Sequence, residues 1–85
     1  MEKGKTKMKQ YLVEVALEIE LLEQGEWKKH IEFLRVQVGA KDKLNATLRA
    51  VEFYQDKDNV EFVLNKDIVS SKIWSIVKCD YMRGE

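Results

Sequence analysis

The sequence predicts a two-layer α+β domain with the element order β-β-α-β-β, in which one amphipathic helix packs on one face of an antiparallel sheet. Two observations carry this prediction. Every odd residue from Tyr11 to Leu21 is apolar and glutamates lie between them, as in a strand with one buried face. Residues 41–55 change to the helical period, with apolar residues three and four positions apart.

The first strand, residues 11–21, has a helix as its alternative, because some of its apolar residues also fit helical spacing. A helix would leave Val13, Leu17 and Leu21 outside its apolar stripe. A strand places every odd residue in one core. We therefore predict a strand here and expect the rest of the chain to pack against it.

A hairpin turn is predicted at Glu23–Glu26, where Gly25 tolerates a positive φ. The second strand then runs from about Trp27 to Val38, but its apolar phase changes along its length. A β-bulge near Phe33-Leu34 would restore one apolar face. The alternative is that both faces are covered for part of the strand.

The amphipathic helix is predicted over residues 42–55, with Asp42 as its N-cap. Asp58-Asn59 supplies a stop, with Asn59 as the left-handed residue. The apolar stripe expected to face the sheet consists of Leu44, Thr47, Leu48, Val51 and Tyr54, with Ala50 beside them.

Two further strands are predicted, a short one at Val60–Leu64 and a longer one at Lys72–Tyr81. Strict alternation in the last strand places Trp74 and Ile76 on one face. It places the following residues on the other face: Ile73, Val77, Cys79 and Tyr81. Which of these faces the helix covers stays open at this point.

Length and charge restrict the function. Residues 10–82 are predicted to form a single domain, preceded by a flexible basic arm over residues 1–9 and followed by a frayed end at residues 83–85. The 15 basic and 15 acidic residues balance, so the overall charge of a dedicated nucleic-acid binder is missing. A nucleic-acid role would rest on a local patch, for which the candidates are Lys3, Lys5, Lys7, Lys9, Lys28 and Lys29.

The sequence predicts a cytoplasmic protein with no membrane association. Cys79 is the single cysteine and cannot form an intramolecular disulfide. The sequence shows no signal peptide, and no apolar run approaches the roughly 20 residues that span a bilayer.

No motif in the chain predicts catalysis. His30 is the only histidine and has no sequence-specified nucleophile or acid as its partner, so it reads as a surface residue. Cys79 reads as a small core residue. The glutamates of residues 10–26 are more typical of ion pairs with Lys28, Lys29 and Arg35 than of a metal site. We therefore predict a non-enzyme without catalytic residues, metal or cofactor.

The two tryptophans are the best candidates for partner binding. If the helix covers the Ile73 face, Trp74 and Ile76 are left on an open sheet face, where exposed apolar area indicates an interface. Trp27 follows the hairpin turn in a charged context. The predicted partner-binding residues are thus Trp27, Trp74 and Ile76. In the alternative, the helix covers the Trp74 face.

In size and in its ββαβ-type order, the chain resembles the small accessory proteins with which phages and mobile elements bind and block host factors; no motif carries this resemblance. It implies a non-enzymatic protein-binding module, an inhibitor acting by steric occlusion through a sheet face or edge strand. The first alternative is a weak nucleic-acid binder, in which Trp27 stacks on a base. The second is a self-associating structural domain, such as a homodimer.

Overall fold

The fold consists of three strands and two helices in a computed structural model that describes residues 8–84. The elements are β1 (Lys9–Glu23), β2 (Glu26–Ala40), α1 (Lys43–Gln55), α2 (Lys57–Leu64) and β3 (Ser70–Gly84). The strands form an antiparallel sheet in the order β2-β1-β3. The α+β class and the antiparallel sheet are confirmed, but the order is β-β-α-α-β and not β-β-α-β-β.

Strand β1 is the centre of the sheet and of the core. Every odd residue from Tyr11 to Leu21 is buried, each with at most 5% of its surface exposed. The strand predicted from the alternating pattern is therefore confirmed, with its apolar residues on one face. Side chains from both helices and from the two outer strands complete this core.

The hairpin between β1 and β2 has the predicted position. Gln24 and Gly25 adopt positive φ angles of 52° and 81°, as a two-residue type I′ turn requires. The pairing then runs without a shift from Glu23 opposite Glu26 to Lys9 opposite Ala40. The β-bulge predicted near Phe33-Leu34 is wrong: the apolar phase changes because Leu34 faces the core, while Ile31 and Phe33 are exposed on the other side.

Helix α1 begins as predicted but packs through another face. The Asp42 carboxylate accepts a hydrogen bond from the backbone N–H of Asn45 at 2.9 Å. Leu44 and Leu48 are 68% and 52% exposed, whereas Ala46 and Ala50 are buried. The predicted stripe is wrong at Leu44 and Leu48, because the small alanine side chains let the helix backbone approach the sheet, which bulkier leucines would prevent.

The side chain of Tyr54 holds the C-terminal end of α1 on the sheet. It is buried, and its hydroxyl donates to the backbone carbonyl of Arg35 at 2.6 Å. Burial raises the pKa of this phenol, so the hydroxyl stays a donor at neutral pH. Of the predicted stripe, Tyr54 is the one fully buried residue.

The strand predicted at Val60–Leu64 is wrong, since these residues belong to α2. Asp56 caps this helix by accepting a hydrogen bond from the N–H of Asp58, and Val60 is buried. The Asn59 side chain donates to the Phe53 carbonyl, and the left-handed residue is Asn65 with a φ of 59°. Local capping and burial of Val60 therefore outweigh the strand preference of a short β-branched run.

Two irregularities in the pairing of β3 with β1 decide which side chains reach the core. Ile73 lies opposite Leu17 and Ile76 opposite Val15, so four residues of β3 span three of β1, and the same occurs between Ile76 and Cys79, which lies opposite Val13. Both isoleucines pack on the core, together with Cys79. The helices thus cover the Ile73 face, and the predicted grouping of Ile76 with Trp74 is wrong.

Part of the predicted basic arm lies outside the described residues. Lys3, Lys5 and Lys7 are among the residues outside the described range, whereas Lys9 opens β1 opposite Ala40. At the other terminus, Arg83 lies in β3 opposite Gln10. Neither described helix combines the length and apolar character needed to cross a bilayer.

The packing predicts opposite outcomes for two leucines. Leu17→Ala should lower the free energy of unfolding by about 2–5 kcal/mol, because it removes a fully buried side chain from the centre of the core. The matched control Leu48→Ala, on the outer side of α1, should change it by less than about 0.5 kcal/mol. Urea unfolding measures both values, and equal losses would contradict the helix orientation.

The N-cap predicts a pH dependence. The backbone and side-chain hydrogen bonds from Asn45 hold the pKa of Asp42 below its ordinary value of 3.8. Such a carboxylate stabilises the fold above its unfolded pKa, and this contribution disappears as pH falls through the lower folded pKa. Asp42→Ala should therefore destabilise the protein at neutral pH and progressively less below about pH 4. Unfolding curves that stay equally separated at all pH values would contradict this.

Candidate functional site

The face of the sheet opposite the helices is the candidate site, and we call it the open face. It is formed by the even residues of β1 from 12 to 22, the odd residues of β2 from 27 to 37, and the β3 side chains opposite them. Alternation fixes the paired members, because directly opposed residues of antiparallel strands share a face. Trp74 is the extra residue at a register shift and has no partner in β1, and its hydrogen bond to Glu18 places it on this face.

Large apolar side chains stand on the open face. Trp27, Ile31, Phe33 and Trp74 are all exposed, and the small side chain of Ala16 lies buried at the middle of the face, opposite Phe33. A shallow hollow of about 280 Å³ opens beside these residues, lined by Glu18, Lys29, His30, Ile31 and Trp74. Both tryptophans of the chain are therefore on one exposed surface.

The glutamates of β1 are held by groups on both neighbouring strands. Arg35 Nε lies 3.9 Å from Glu14 Oε1, and Lys29 Nζ lies 3.6 Å from Glu18 Oε2. Trp74 Nε1 donates to Glu18 Oε1 at 3.1 Å. The side chains of Glu14 and Glu18 are only 15% and 28% exposed. Ion pairing predicted from the sequence is thus confirmed for these two glutamates, and Glu18 also orients the indole of Trp74.

The structure keeps His30 and Cys79 apart, so these two residues cannot act together as base and nucleophile. His30 is exposed on β2 opposite Ile19, while Cys79 is half-buried on β3 opposite Val13. Their β1 partners, Ile19 and Val13, are six positions apart along the strand, a distance of about 20 Å. Within residues 8–84, no group of three metal-ligating side chains converges. The absence of enzymatic activity stays a prediction.

A second hollow, of about 410 Å³, lies at the end of α2 beside Glu61, Phe62 and Asn65. The carboxylate of Glu61 has a structural role. Its Oε2 atom accepts a hydrogen bond from the backbone N–H of Ile68 at 2.9 Å and one from Lys57 Nζ at 3.3 Å. The bond from Ile68, with Lys57 beside it, lowers the pKa of Glu61. This carboxylate therefore anchors the connection from α2 to β3.

The structure brings some predicted site residues together and separates others. Trp27 and Trp74 are on the open face, whereas Ile76 lies on the opposite face against the core. Lys28 and Lys29 are exposed but project to opposite faces of β2. Lys9 lies opposite Ala40, about 40 Å along the strand from Lys28. The described lysines of the predicted nucleic-acid patch therefore do not form one cluster.

Sequence reasoning missed Ile31, Phe33 and Ala16 as members of the open face. The signal was present in β2, where apolar residues change from odd to even positions after Phe33. This change does not mark a bulge. It marks the position along β2 where the side of the strand that faces the helices becomes apolar. Ala16 was a second signal, since it interrupts the glutamates of β1.

Comparisons of this chain with protein-family models, with curated proteins and with solved structures find no match. The function proposed below is therefore argued from the geometry of the described residues.

The face assignment predicts different outcomes for two neighbouring residues of β3. Trp74→Ala should lower the free energy of unfolding by less than about 1 kcal/mol, since the indole is exposed and loses mainly one hydrogen bond. Ile76→Ala should cost about 2 kcal/mol, the low end for a buried isoleucine, because Ile76 packs on the core. Urea unfolding with circular dichroism distinguishes them. A larger loss for Trp74→Ala would reverse the two faces.

Proposed function

We propose that this chain is a non-enzymatic protein-binding module that docks a protein partner on the open face. The observation that supports the proposal is the set of exposed apolar side chains on this face: Trp27, Ile31, Phe33 and Trp74. Contiguous exposed apolar area marks interaction sites, and tryptophan contributes much of the binding energy in protein interfaces.

Part of the open face is already ordered, which favours binding. Its side chains stand on three paired strands, and Glu18 holds both the Trp74 indole and the Lys29 ammonium group. Side chains that are already ordered lose little conformational entropy when a partner covers them. The binding energy of the aromatic groups is then available for affinity.

Electrostatics favour a protein partner over a nucleic acid. Glu14, Glu18 and Glu20 follow the middle of the open face, and Arg35 and Lys29 are paired with the first two. A phosphate backbone lying across this face would approach these carboxylates. Mixed charges around aromatic groups are typical of protein interfaces. Binding of nucleic acid through the basic arm stays a prediction.

Steric occlusion is the mode of action that needs no chemistry from the chain. A flat face with aromatic side chains can cover a functional surface of its partner. This is the mode of the phage and mobile-element accessory proteins that the chain resembles in size, although the predicted element order behind that resemblance is replaced by β-β-α-α-β. An inhibitory role is therefore part of the proposal.

A site-specific crosslinker tests the proposal. Ser75 lies on the open face opposite Ala16 and is exposed, so p-benzoylphenylalanine at this position samples whatever docks there. In a lysate of the organism that encodes the chain, we expect a crosslink to a different protein, identified by mass spectrometry. Adding Trp74→Ala should reduce its yield at least about tenfold, as the loss of an interface tryptophan does.

The matched control places the same crosslinker at Leu44, which is exposed on the outer side of α1. This position should not capture the same protein. Equal capture from both positions, or none from position 75, would refute docking on the open face. A crosslinked product that nuclease removes would instead favour the nucleic-acid alternative.

A further inference from the structure

Strand β2 is an edge strand of unusual length and regularity. It contains 15 residues, includes no proline, and pairs with β1 on one side without a register shift. Proteins commonly protect such edges with bulges or proline, because an unpaired edge invites another strand. The other edge strand, β3, has three irregularities along its length. Strand β2 is therefore the better template for pairing with another chain.

The hairpin turn determines which backbone groups of β2 point outward. A two-residue turn makes Glu23 and Glu26 a hydrogen-bonded pair, so the even residues of β2 direct their N–H and C=O groups to β1. The odd residues direct theirs to the free edge. The hydrogen bond from Tyr54 Oη to the Arg35 carbonyl agrees with this assignment, because Arg35 is an odd residue and its carbonyl points away from β1.

This tyrosine also limits the free edge. The Tyr54 hydroxyl of α1 already donates to the Arg35 carbonyl. Within residues 8–84, no hydrogen bond reaches the outward backbone groups between the turn and Arg35. The available stretch is Trp27-Lys28-Lys29-His30-Ile31-Glu32-Phe33. Its outward groups belong to Trp27, Lys29, Ile31 and Phe33.

We propose that two copies of this chain pair antiparallel along this stretch, with His30 of one copy opposite His30 of the other. A twofold axis through His30 joins the two sheets into one of six strands. Outward residues then meet outward residues, as an antiparallel ladder requires, and about eight backbone hydrogen bonds form. The proposal goes beyond the docking function and does not depend on it.

The stretch is complementary to itself in this register. Lys28 of each copy lies opposite Glu32 of the other, so the twofold axis creates two ion pairs. On the open face, Trp27 lies opposite Phe33, an aromatic pair, and the aliphatic stem of Lys29 lies against Ile31. With equal numbers of acidic and basic residues, the chain has no net charge to oppose association.

Neighbouring registers are less favourable. Centring the pair on Lys29 brings the two copies of this lysine together, and centring it on Glu32 brings two glutamates together. Centring it on Ile31 requires Arg35 to join the ladder, although its carbonyl already accepts the Tyr54 hydroxyl. The register centred on His30 is the one that uses the whole free edge without like charges.

Charge reversal with rescue tests this register. The wild-type chain should sediment with twice the 10.0 kDa mass of one copy. Lys28→Glu or Glu32→Lys alone should raise the dissociation constant of the dimer at least tenfold, which corresponds to about 1.4 kcal/mol. The double variant should restore the dimer. These residues lie four apart on one strand, about 13 Å, so rescue must occur between copies.

The control Lys41→Glu makes the same charge change at an exposed position just after the other end of β2, about 40 Å along the strand from Lys28, and should leave the dimer intact. Amide hydrogen exchange gives a second readout. In the dimer, the outward N–H groups of Trp27, Lys29, Ile31 and Phe33 should be protected, and Lys28→Glu should remove this protection. The inward N–H groups of Lys28 and His30 should stay protected in both.

A wild-type chain that is monomeric at about 100 µM would overturn the proposal, as would a double variant that stays monomeric. Fast exchange of the outward amides in a wild-type dimer would show that the copies meet elsewhere. A wild-type chain that stays monomeric but still gives the crosslink from position 75 would refute this inference alone. A dimer without that crosslink would refute the docking function alone.

Discussion

Burial of the odd face of β1 is the constraint on which the rest of the structure depends. Six side chains of one strand, from Tyr11 to Leu21, are almost completely removed from water, and a sheet with one such face needs a second layer. Both helices and the connection around Ile68 form that layer. The hairpin partner β2 and the returning strand β3 align along β1, so the central strand fixes the register of both neighbours.

The same arrangement produces the open face. Strands of 15 residues extend about 50 Å, and both helices lie on one side of the sheet. Within residues 8–84, the opposite side is covered by its own side chains alone, which pair Glu14 and Glu18 with Arg35 and Lys29 and leave two tryptophans exposed. A stable core on one face and an interaction surface on the other thus follow from one strand pattern.

The edges of the sheet differ for a physical reason. Strand β3 must bring Ile73, Ile76 and Cys79 to the core, and its irregular register achieves this while interrupting the outer ladder. Strand β2 follows directly from a tight turn and keeps a uniform register. At the end of α1, the Tyr54 hydroxyl binds the Arg35 carbonyl on the β2 edge. Among the described residues, the part of that edge without hydrogen bonds is residues 27–33, which lie beyond the end of α1.

Features that depend on near neighbours in the chain could be predicted from the sequence. Alternation marked β1, Gly25 marked the hairpin, and Asp42 marked the start of α1, because each is a matter of local period or capping. The identity of α2, the buried face of α1 and the face on which Ile76 lies could not be predicted in this way. These depend on how closely alanines let a helix approach the sheet and on register shifts in β3, which arise from contacts between residues distant in the chain. The open face was predicted in part, through its tryptophans, and its remaining members followed from the register alone.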